Sequence, residues 1–364
     1  MKIESEIRAR LSLLVASRGV PSVLRRLVRI HGSAIRAKQS DDLSSDLQDE
    51  LCDLSVQKAV DRQILLATKI GARWIVPEKR WFPFPTDVAL LCVRGSLPKK
   101  GTVSIVGSRR ADSYGVHVAS LLASALSSSG IAVVSGGAVG VDEAAHRSAL
   151  SKERGTVAVL GTGLAGTRNA RQRKLQEDIV SSNGAVVTEF LCGSSGSKWS
   201  FPDRNRLVAS WGQAVVVIQA SKKSGALITA KIAQKKGIPL YAVPGDVWCR
   251  NSSGSNDLIA SNQAKLFQHP RDLVSVLGEP NLVDSFWPSH DRKIQWKDCQ
   301  DMSETSMSDR QRIYQFILKN PRQSVDGISE RSGVVKSLVA EVLFALEMDQ
   351  QIRCFSDNTY EVIQ

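Results

Sequence analysis

A chain of 364 residues with 42% hydrophobic and 23% charged side chains has the make-up of a soluble globular protein of two or three domains. Its 48 Lys and Arg against 36 Asp and Glu leave a formal charge of +12, an excess that suits a polyanionic partner through counterion release. The six cysteines (Cys52, Cys92, Cys192, Cys249, Cys299 and Cys354) include no C-x-x-C pair, which argues against a zinc ribbon, a thioredoxin-type site or a secreted disulfide scaffold. No stretch approaches the roughly 20 apolar residues of a membrane span, so the expected location is the cytoplasm.

Residues 1–80 carry helical periodicity, with no convincing strand up to Trp81, and read as a small helical N-terminal domain of helix-hairpin or SAM-like type. Residues 7–15 are amphipathic. Gly19-Val20-Pro21-Ser22 then supplies a turn and an N-cap before a helix over 23–30. Arg25, Arg26, Arg29 and Arg36 make this region basic. A packing module is the commoner explanation of such a pattern, and nucleic-acid contact the rarer one.

Residues 81–277 form the second expected domain. From Thr102 onward, strands at 103–106, 131–134, 157–160, 185–187, 214–218 and 240–243 alternate with helices at 114–128, 141–150 and 172–182. Continuous apolar strands between helices imply an α/β fold, a Rossmann-like, doubly wound and mostly parallel sheet with ligands at the carboxyl ends of its strands. Residues 278–307, rich in Pro, Ser, Asp and Glu, read as a linker. Residues 308–364 read as three helices (310–319, 325–331, 336–348) and a closing hairpin (352–355 with 359–363), the pattern of a C-terminal winged-helix domain. Its charges are nearly balanced, Lys336 standing beside Glu341, Glu347 and Asp349, which fits protein contact or fold completion better than strong phosphate binding.

Several strands run into glycine, at Gly107, Gly136 and Gly137, Gly161 and Gly163, and Gly245. Glycines at one edge of one sheet would converge on a crevice and let a ligand approach the backbone closely. The first turn, Gly107-Ser108-Arg109-Arg110, has neither the dinucleotide G-x-G-x-x-G spacing nor the P-loop pattern, which disfavours a dehydrogenase or an ATPase. Arg109 is placed for a side-chain contact to phosphate; the alternative is a surface arginine paired with a carboxylate. Phe201-Pro202-Asp203-Arg204-Asn205-Arg206 opens a helix with two arginines flanking an amide, and Ser224-Gly225 turns into another. Both are settings that suit oxyanions.

Asp142, Glu143 and His146 share a helix, but carboxylates in a first turn are explained by the helix dipole, and the structural role ranks above a catalytic one. His117 reads as a packing residue. No Ser-His-Asp or Cys-His constellation can be assembled, and no metal or cofactor is expected. Basic residues crowd the later loops: Arg168, Arg171, Arg173, Lys174, Lys198, Arg204, Arg206, Lys222 and Lys223. Trp199, Phe201 and Trp248 are interleaved with them. Cations that track a backbone and aromatics on which bases stack are what single-stranded nucleic acid requires, although each aromatic alone is more often core.

The series Gly107-Ser108-Arg109, Ser135-Gly136-Gly137 with Gly140-Val141-Asp142 and Ala145-His146, Phe201-Pro202-x-Arg204-Asn205-Arg206, Ser224-Gly225-x-Leu227-Ile228-Thr229-Ala230, Val243-Pro244-Gly245 and Gly254-x-Asn256-x-Leu258-Ile259 resembles the bacterial DNA-processing protein A (DprA, or Smf) family. The resemblance covers 102–266 in the right order. It implies a non-enzymatic, homodimeric protein that binds and protects incoming single-stranded DNA in natural transformation and helps load the RecA recombinase in homologous recombination. Carried over by motif position, Arg109 is the main phosphate-binding side chain, and Arg204, Asn205 and Arg206 shape the same pocket. Gly107, Ser108, Gly137, Ser224 and Gly225 supply close backbone approach or N–H donors. Lys174 and Phe201 complete the expected nucleic-acid-binding set. Departures from the family pattern are Arg168-Asn169-Ala170-Arg171 in place of a Tyr-Pro pair, Gln219 in place of an acidic residue, and Ser210 and Gln263 in place of glycines. One alternative is a nucleotide-processing hydrolase of the same wider Rossmann-like superfamily; its Pro-Gly-Gly-x-Gly-Thr loop is absent, Ser224-Gly225-Ala226-Leu227 standing there instead. A second is a duplex-binding regulator acting through the C-terminal module.

Overall fold

Short runs of Val, Ile and Ala between glycine turns offer no polar face to water, and here they fold as strands buried on both sides. The computed structural model of the protein describes residues 2–78, 82–85, 87–99, 101–150, 155–167, 169–278 and 309–332. Near the C-terminus it also describes 334, 339–340, 342–343, 346–347, 351–355 and 359–362. The chain divides into two compact units, Met1–Trp287 and Pro288–Gln364.

The first unit opens with α1 (Lys2–Ala16), α2 (Pro21–His31), α3 (Ala34–Lys38), α4 (Ser45–Cys52) and α5 (Leu54–Lys69), then β1 (Ala72–Ile75) and β2 (Leu91–Gly95). The alternating part follows as β3 (Thr102–Val106), α6 (Ser113–Ser128), β4 (Ala132–Ser135), α7 (Val141–Ser148), β5 (Thr156–Val159), α8 (Ala170–Ser181) and β6 (Ala185–Thr188). It continues through α9 (Ser200–Trp211), β7 (Ala214–Val217), α10 (Ala226–Lys235), β8 (Leu240–Ala242), α11 (Ser253–Ala260), β9 (Lys265–Leu266) and α12 (Val274–Leu277).

One nine-stranded sheet results, in the order β1-β2-β6-β5-β4-β3-β7-β8-β9. The strands from β6 to β9 in that order run parallel. Antiparallel pairing adds β2 to β6 and β1 to β2. The chain leaves β3 toward β4, β5 and β6 on one side, and returns through β7 on the other. A crevice therefore opens at the carboxyl ends of β3 and β7, where the winding reverses.

Alternate residues of each strand feed opposite cores. Ile105, Val133 and Val216 pack under α6 and α7 with Leu122 and Ala145. Val106, Val134 and Val217 pack under α9 and α10 with Leu207, Trp211 and Ala230. Phe84 stacks on the buried Trp211 ring at 4.3 Å.

The N-terminal helices differ from expectation in two respects. β1 lies inside the stretch read as purely helical. At four residues it is too short to show a period, and it is extended because β2 pairs with it, Trp74 opposite Cys92. Helix α2 starts two residues earlier than a Ser22 cap would have it: Val20 is the N-cap, without a side-chain bond, and Pro21 occupies the first turn, where its missing N–H costs nothing. Leu11, Leu24, Val60 and Trp74 share a single core with Ala158, Leu160, Ile179 and Val186.

In the second unit, helices Asp309–Lys319 and Val325–Ser332 pack Ile313, Ile317 and Ile328 together. The expected hairpin forms from Ile352–Cys354 and Thr359–Val362, and Gln323–Ser324 adds an unanticipated third antiparallel strand. Most of the helix expected over 336–348, and the expected linker beyond Gly278, lie outside the described residues.

Candidate nucleic-acid interface

At the switch between β3 and β7 the sheet edge opens into a hollow of about 590 Å³. The β3–α6 turn contributes Gly107, Ser108, Arg109 and Arg110; the β4–α7 turn contributes Gly136, Ala138 and the side chain of Asp142. Helix α9 contributes Phe201, Pro202, Arg204 and Asn205, and the β7–α10 turn contributes Ser221, Ser224 and Gly225. Arg250 and Asn251 close the far wall. A second hollow of about 400 Å³ adjoins it over β4 and β5, lined by Gly137, Gly161, Asn169 and Gln172 among others. Arg109, Gly136, Ala138, Phe201 and Arg204 line both. The Arg109 guanidinium, 5.4 Å from the Phe201 ring centre, forms the divide.

The loop that carries Arg109 is held from three sides. The Ser108 amide donates to the Gln219 carbonyl (2.6 Å), and the Val141 amide donates to the Ser108 carbonyl (3.2 Å). Gln219 accepts the Asp112 amide (3.2 Å) and donates to the Asp112 carboxylate (2.7 Å), which itself caps α6 by accepting from Gly115 (2.9 Å). Gln219 is thus a clamp for the arginine loop.

Gly140 completes that clamp. Its φ of +85° excludes ordinary side chains, and a methyl there would overlap the Ser108 carbonyl oxygen. Gly140→Ala should cost about 1–3 kcal/mol and displace the Arg109 loop, a loss that thermal denaturation will register.

Arg204 lines both hollows from a buried position. It is 5% exposed and donates inward to the carbonyls of Gly136 and Val159, while its Nε donates to Asn205 Oδ1 (3.2 Å). Burial pulls its guanidinium down to about 10, with Asp142 opposing and Arg109 adding to the shift. Burial likewise raises the Asp142 carboxyl above the ordinary range, opposed by Arg204 and the Ala138 amide. Arg204 therefore ties the ends of β4 and β5 to α9, and Asn205, 3.4 Å from the Gly225 carbonyl, ties α9 to the β7–α10 turn.

Arg206 does not shape the hollow. At 100° per residue, two positions past Arg204 is the opposite side of α9. There Arg206 pairs with Glu189, Asp87 (3.2 Å) and Asp203 (3.5 Å). Lys174 also lies outside both hollows, exposed on α8 and 3.4 Å from Asp178. Gly107, Ser108, Arg109, Phe201, Arg204, Asn205, Ser224 and Gly225 do meet, and Gly137 sits next door.

Several of the strand-end glycines are required by the packing of the protein against itself. A Cβ at Gly107, Gly136, Gly161 or Gly245 would strike Val141, Arg204, Phe201 or Ser252, so these residues let the protein approach itself. Only at Gly225, of these five, is there open space, on the N-terminal side of α10.

Sequence reasoning missed Arg250 and Asn251, whose only signal was their place in the loop after Pro244-Gly245 and Trp248. Asn251 donates to the Arg110 carbonyl (2.7 Å), bringing Arg250 beside Arg110. Among the described residues, Arg109, Arg110 and Arg250 form no ion pair, and the one carboxylate in the lining is the buried Asp142. Arg168 lies outside the described residues; Arg171 is spent on Glu143 (2.8 Å) and Lys222 on Asp257 (3.0 Å). Trp199 and Trp248 are exposed, and Lys198 lies 5.0 Å from the Trp199 ring centre.

Glu143 pairs with Arg147 and Arg171, whereas His117 is exposed on α6 rather than packed. His146 is fully buried, 2.8 Å from Thr156 Oγ1. Because that hydroxyl donates to the Val133 carbonyl, His146 Nδ1 must carry the proton, and Nε2 has no partner among the described residues. Burial, with Arg204 adding to it, holds the imidazole down at about 3. The unfolded chain takes up this proton below about pH 6.5 and the folded chain does not, so stability falls with pH between those values. At pH 5 the loss from this group is about 2 kcal/mol relative to pH 7. His146→Gln should flatten that part of a melting-temperature profile, and parallel profiles for the two proteins would contradict the assignment.

Residues 81–278 match the family model of the DNA recombination-mediator protein A. The putative DNA processing protein DprA of Mycobacterium tuberculosis is 34% identical over 261 residues, 72% of this chain and 64% of that protein. The chain thus spans less than two thirds of that relative's length. Among solved structures, DprA of Streptococcus pneumoniae aligns with a TM-score of 0.56 at 26% identity, covering 74% of this chain and 95% of that one. DNA processing protein A of Helicobacter pylori, described for its single-stranded DNA binding mode, aligns at 0.50 and 29% identity over 57% and 95%. With the family match covering more than half of its 364 residues, this chain belongs to the DNA recombination-mediator protein A family.

Proposed function

We propose that the paired hollows at the sheet edge bind the backbone and bases of single-stranded DNA, and that the chain acts as a homodimeric recombination mediator. In this role it protects the strand and passes it to RecA, as in natural transformation. The carrying observation is the set of three outward arginines, Arg109, Arg110 and Arg250, unpaired among the described residues at the mouth of a hollow whose single carboxylate is buried. Uncompensated guanidinium forks at a sheet edge attract phosphate, and Phe201 between the hollows offers a base a ring to stack on. The similarity to the Helicobacter pylori protein supports the same ligand. Residues 308–364 are proposed as a winged-helix module that completes the fold or contacts protein, with 1–80 as a helical module.

Titration with an oligothymidylate and with a duplex at low salt tests the reading. The single strand should bind more tightly, with log affinity falling by about 0.7 per phosphate neutralised for each tenfold rise in salt. Absence of any single-strand complex at low salt would refute it. One observation keeps the hydrolase alternative in view: Asp142 is a carboxyl held above its ordinary range at the floor of a nucleotide-sized hollow. Release of free base from nucleoside monophosphates would favour that reading, and unchanged nucleotides would favour binding.

A further inference from the structure

The sheet edge that carries the hollows continues past them to a third cavity of about 480 Å³. It lies between α2 and the segment before β2, and Arg25, Arg26, Arg29 and Arg206 line it. Because β2 runs antiparallel to β6, Cys92 opposite Thr188, the start of β2 is at the carboxyl edge of the parallel strands. The cavity and the hollows therefore share one rim. The boundary of β2 and β6 is four strand spacings from that of β3 and β7, about 19 Å at ~4.8 Å each.

On α2 the lining residues Ser22, Arg25, Arg26 and Arg29 follow the i, i+3, i+4, i+7 spacing of one helical face. In a packing helix that face would be apolar; here Leu24 points to the core instead. Beneath the arginines is a balanced ionic layer: Arg25, Arg206 and Lys236 pair with Glu189, Asp203 and Asp87. Burial pulls the Arg25 guanidinium down, but Glu189 and Asp203 outweigh it and hold it above its ordinary value. Arg26 and Arg29 have no carboxylate partner among the described residues, and both are exposed. They are the surplus charge of the cavity.

We propose that this arginine face of α2 is a second phosphate-contacting surface, engaging the same single strand some 19 Å beyond the Arg109 hollow. The proposal rests on the reading of the hollow as a single-strand site. Exposed Lys198 and Trp199, in the connection from β6 to the N-terminus of α9, would give the strand a charged and aromatic crossing. A strand that fills only the hollow leaves α2 untouched, whereas a longer one must pass it.

The test pairs the variant Arg26→Glu/Arg29→Glu with two ligands, trithymidylate, too short to reach α2, and an oligothymidylate of about twenty nucleotides. Both substitutions are on exposed positions, and circular dichroism with thermal melting checks the fold. At low salt the longer strand should bind the variant about tenfold or more weakly, its salt slope reduced by about 1.4, two phosphates at ~0.7 each. Trithymidylate should bind both proteins alike. Unchanged affinity for the longer strand overturns the proposal while leaving the hollow intact. Equal weakening for both lengths also overturns it, since it would report a general change of charge. Failure of the wild-type protein to bind either ligand refutes the parent reading, and this one with it.

Discussion

Replacing Arg109 with alanine should lower affinity for single-stranded DNA by about 10- to 150-fold without changing stability. The range is that of one or two charge-assisted hydrogen bonds, about 1.5–3 kcal/mol. Arg109 is exposed and forms no ion pair among the described residues, so its truncation leaves no buried group stranded, and its melting temperature should match the wild type. The loss should be even across sequences, because a phosphate contact carries no base information. Arg109→Lys should recover part of the affinity, since it keeps the charge and loses the planar fork. Electrophoretic shift or anisotropy titrations at two salt concentrations read all three outcomes. A sequence-dependent loss would move Arg109 from the backbone to the bases.

Arg204→Ala should instead damage the fold first. The guanidinium is buried, holds the ends of β4 and β5 through the Gly136 and Val159 carbonyls, and faces Asp142. Its removal leaves two strand-end carbonyls without that donor and a buried acid without its counter-charge, a class of change that costs about 3–5 kcal/mol. A unit of this size should melt roughly 10 °C lower. Adding Asp142→Asn should recover part of the loss, because the stranded acid is gone. Calorimetry of the four proteins of this cycle gives the coupling directly. If Arg204→Ala melts with the wild type but no longer binds DNA, Arg204 is a ligand-contacting group and the structural assignment is wrong.

The contrast between these arginines explains what could be read from the chain. Strands β3 to β8 were legible within a residue or two because Val-, Ile- and Ala-rich runs buried on both faces repeat between glycine turns. Their shared edge, and hence the meeting of Gly107, Arg109, Phe201, Asn205 and Ser224, followed from the parallel winding. The depth of a side chain did not. Arg204 and Arg206 look equivalent in the motif, yet a helix turns them to opposite sides, one toward the strand ends and one toward Glu189. Strands β1 and β2 were missed because their pairing is antiparallel and non-local, and four or five residues carry too little pattern to announce it. Distance in sequence hid two other pairings. Arg250 reaches the wall of Arg110 from 140 positions away, and the sulfurs of Cys92 and Cys192, a hundred residues apart, lie 3.6 Å from each other. The arginines of α2 were visible as a basic region but not as a helical face or a surface, since only the fold places them on the rim of the hollows.

The most direct measurement is photocrosslinking of the full chain to an oligonucleotide carrying 5-bromodeoxyuridine, with the modified peptides identified by mass spectrometry. The account predicts adducts within 107–110, at Trp199 or Phe201 and within 221–225, lost in Arg109→Ala under the same conditions. Adducts confined to residues 309–362, with the sheet edge unmodified, would contradict it.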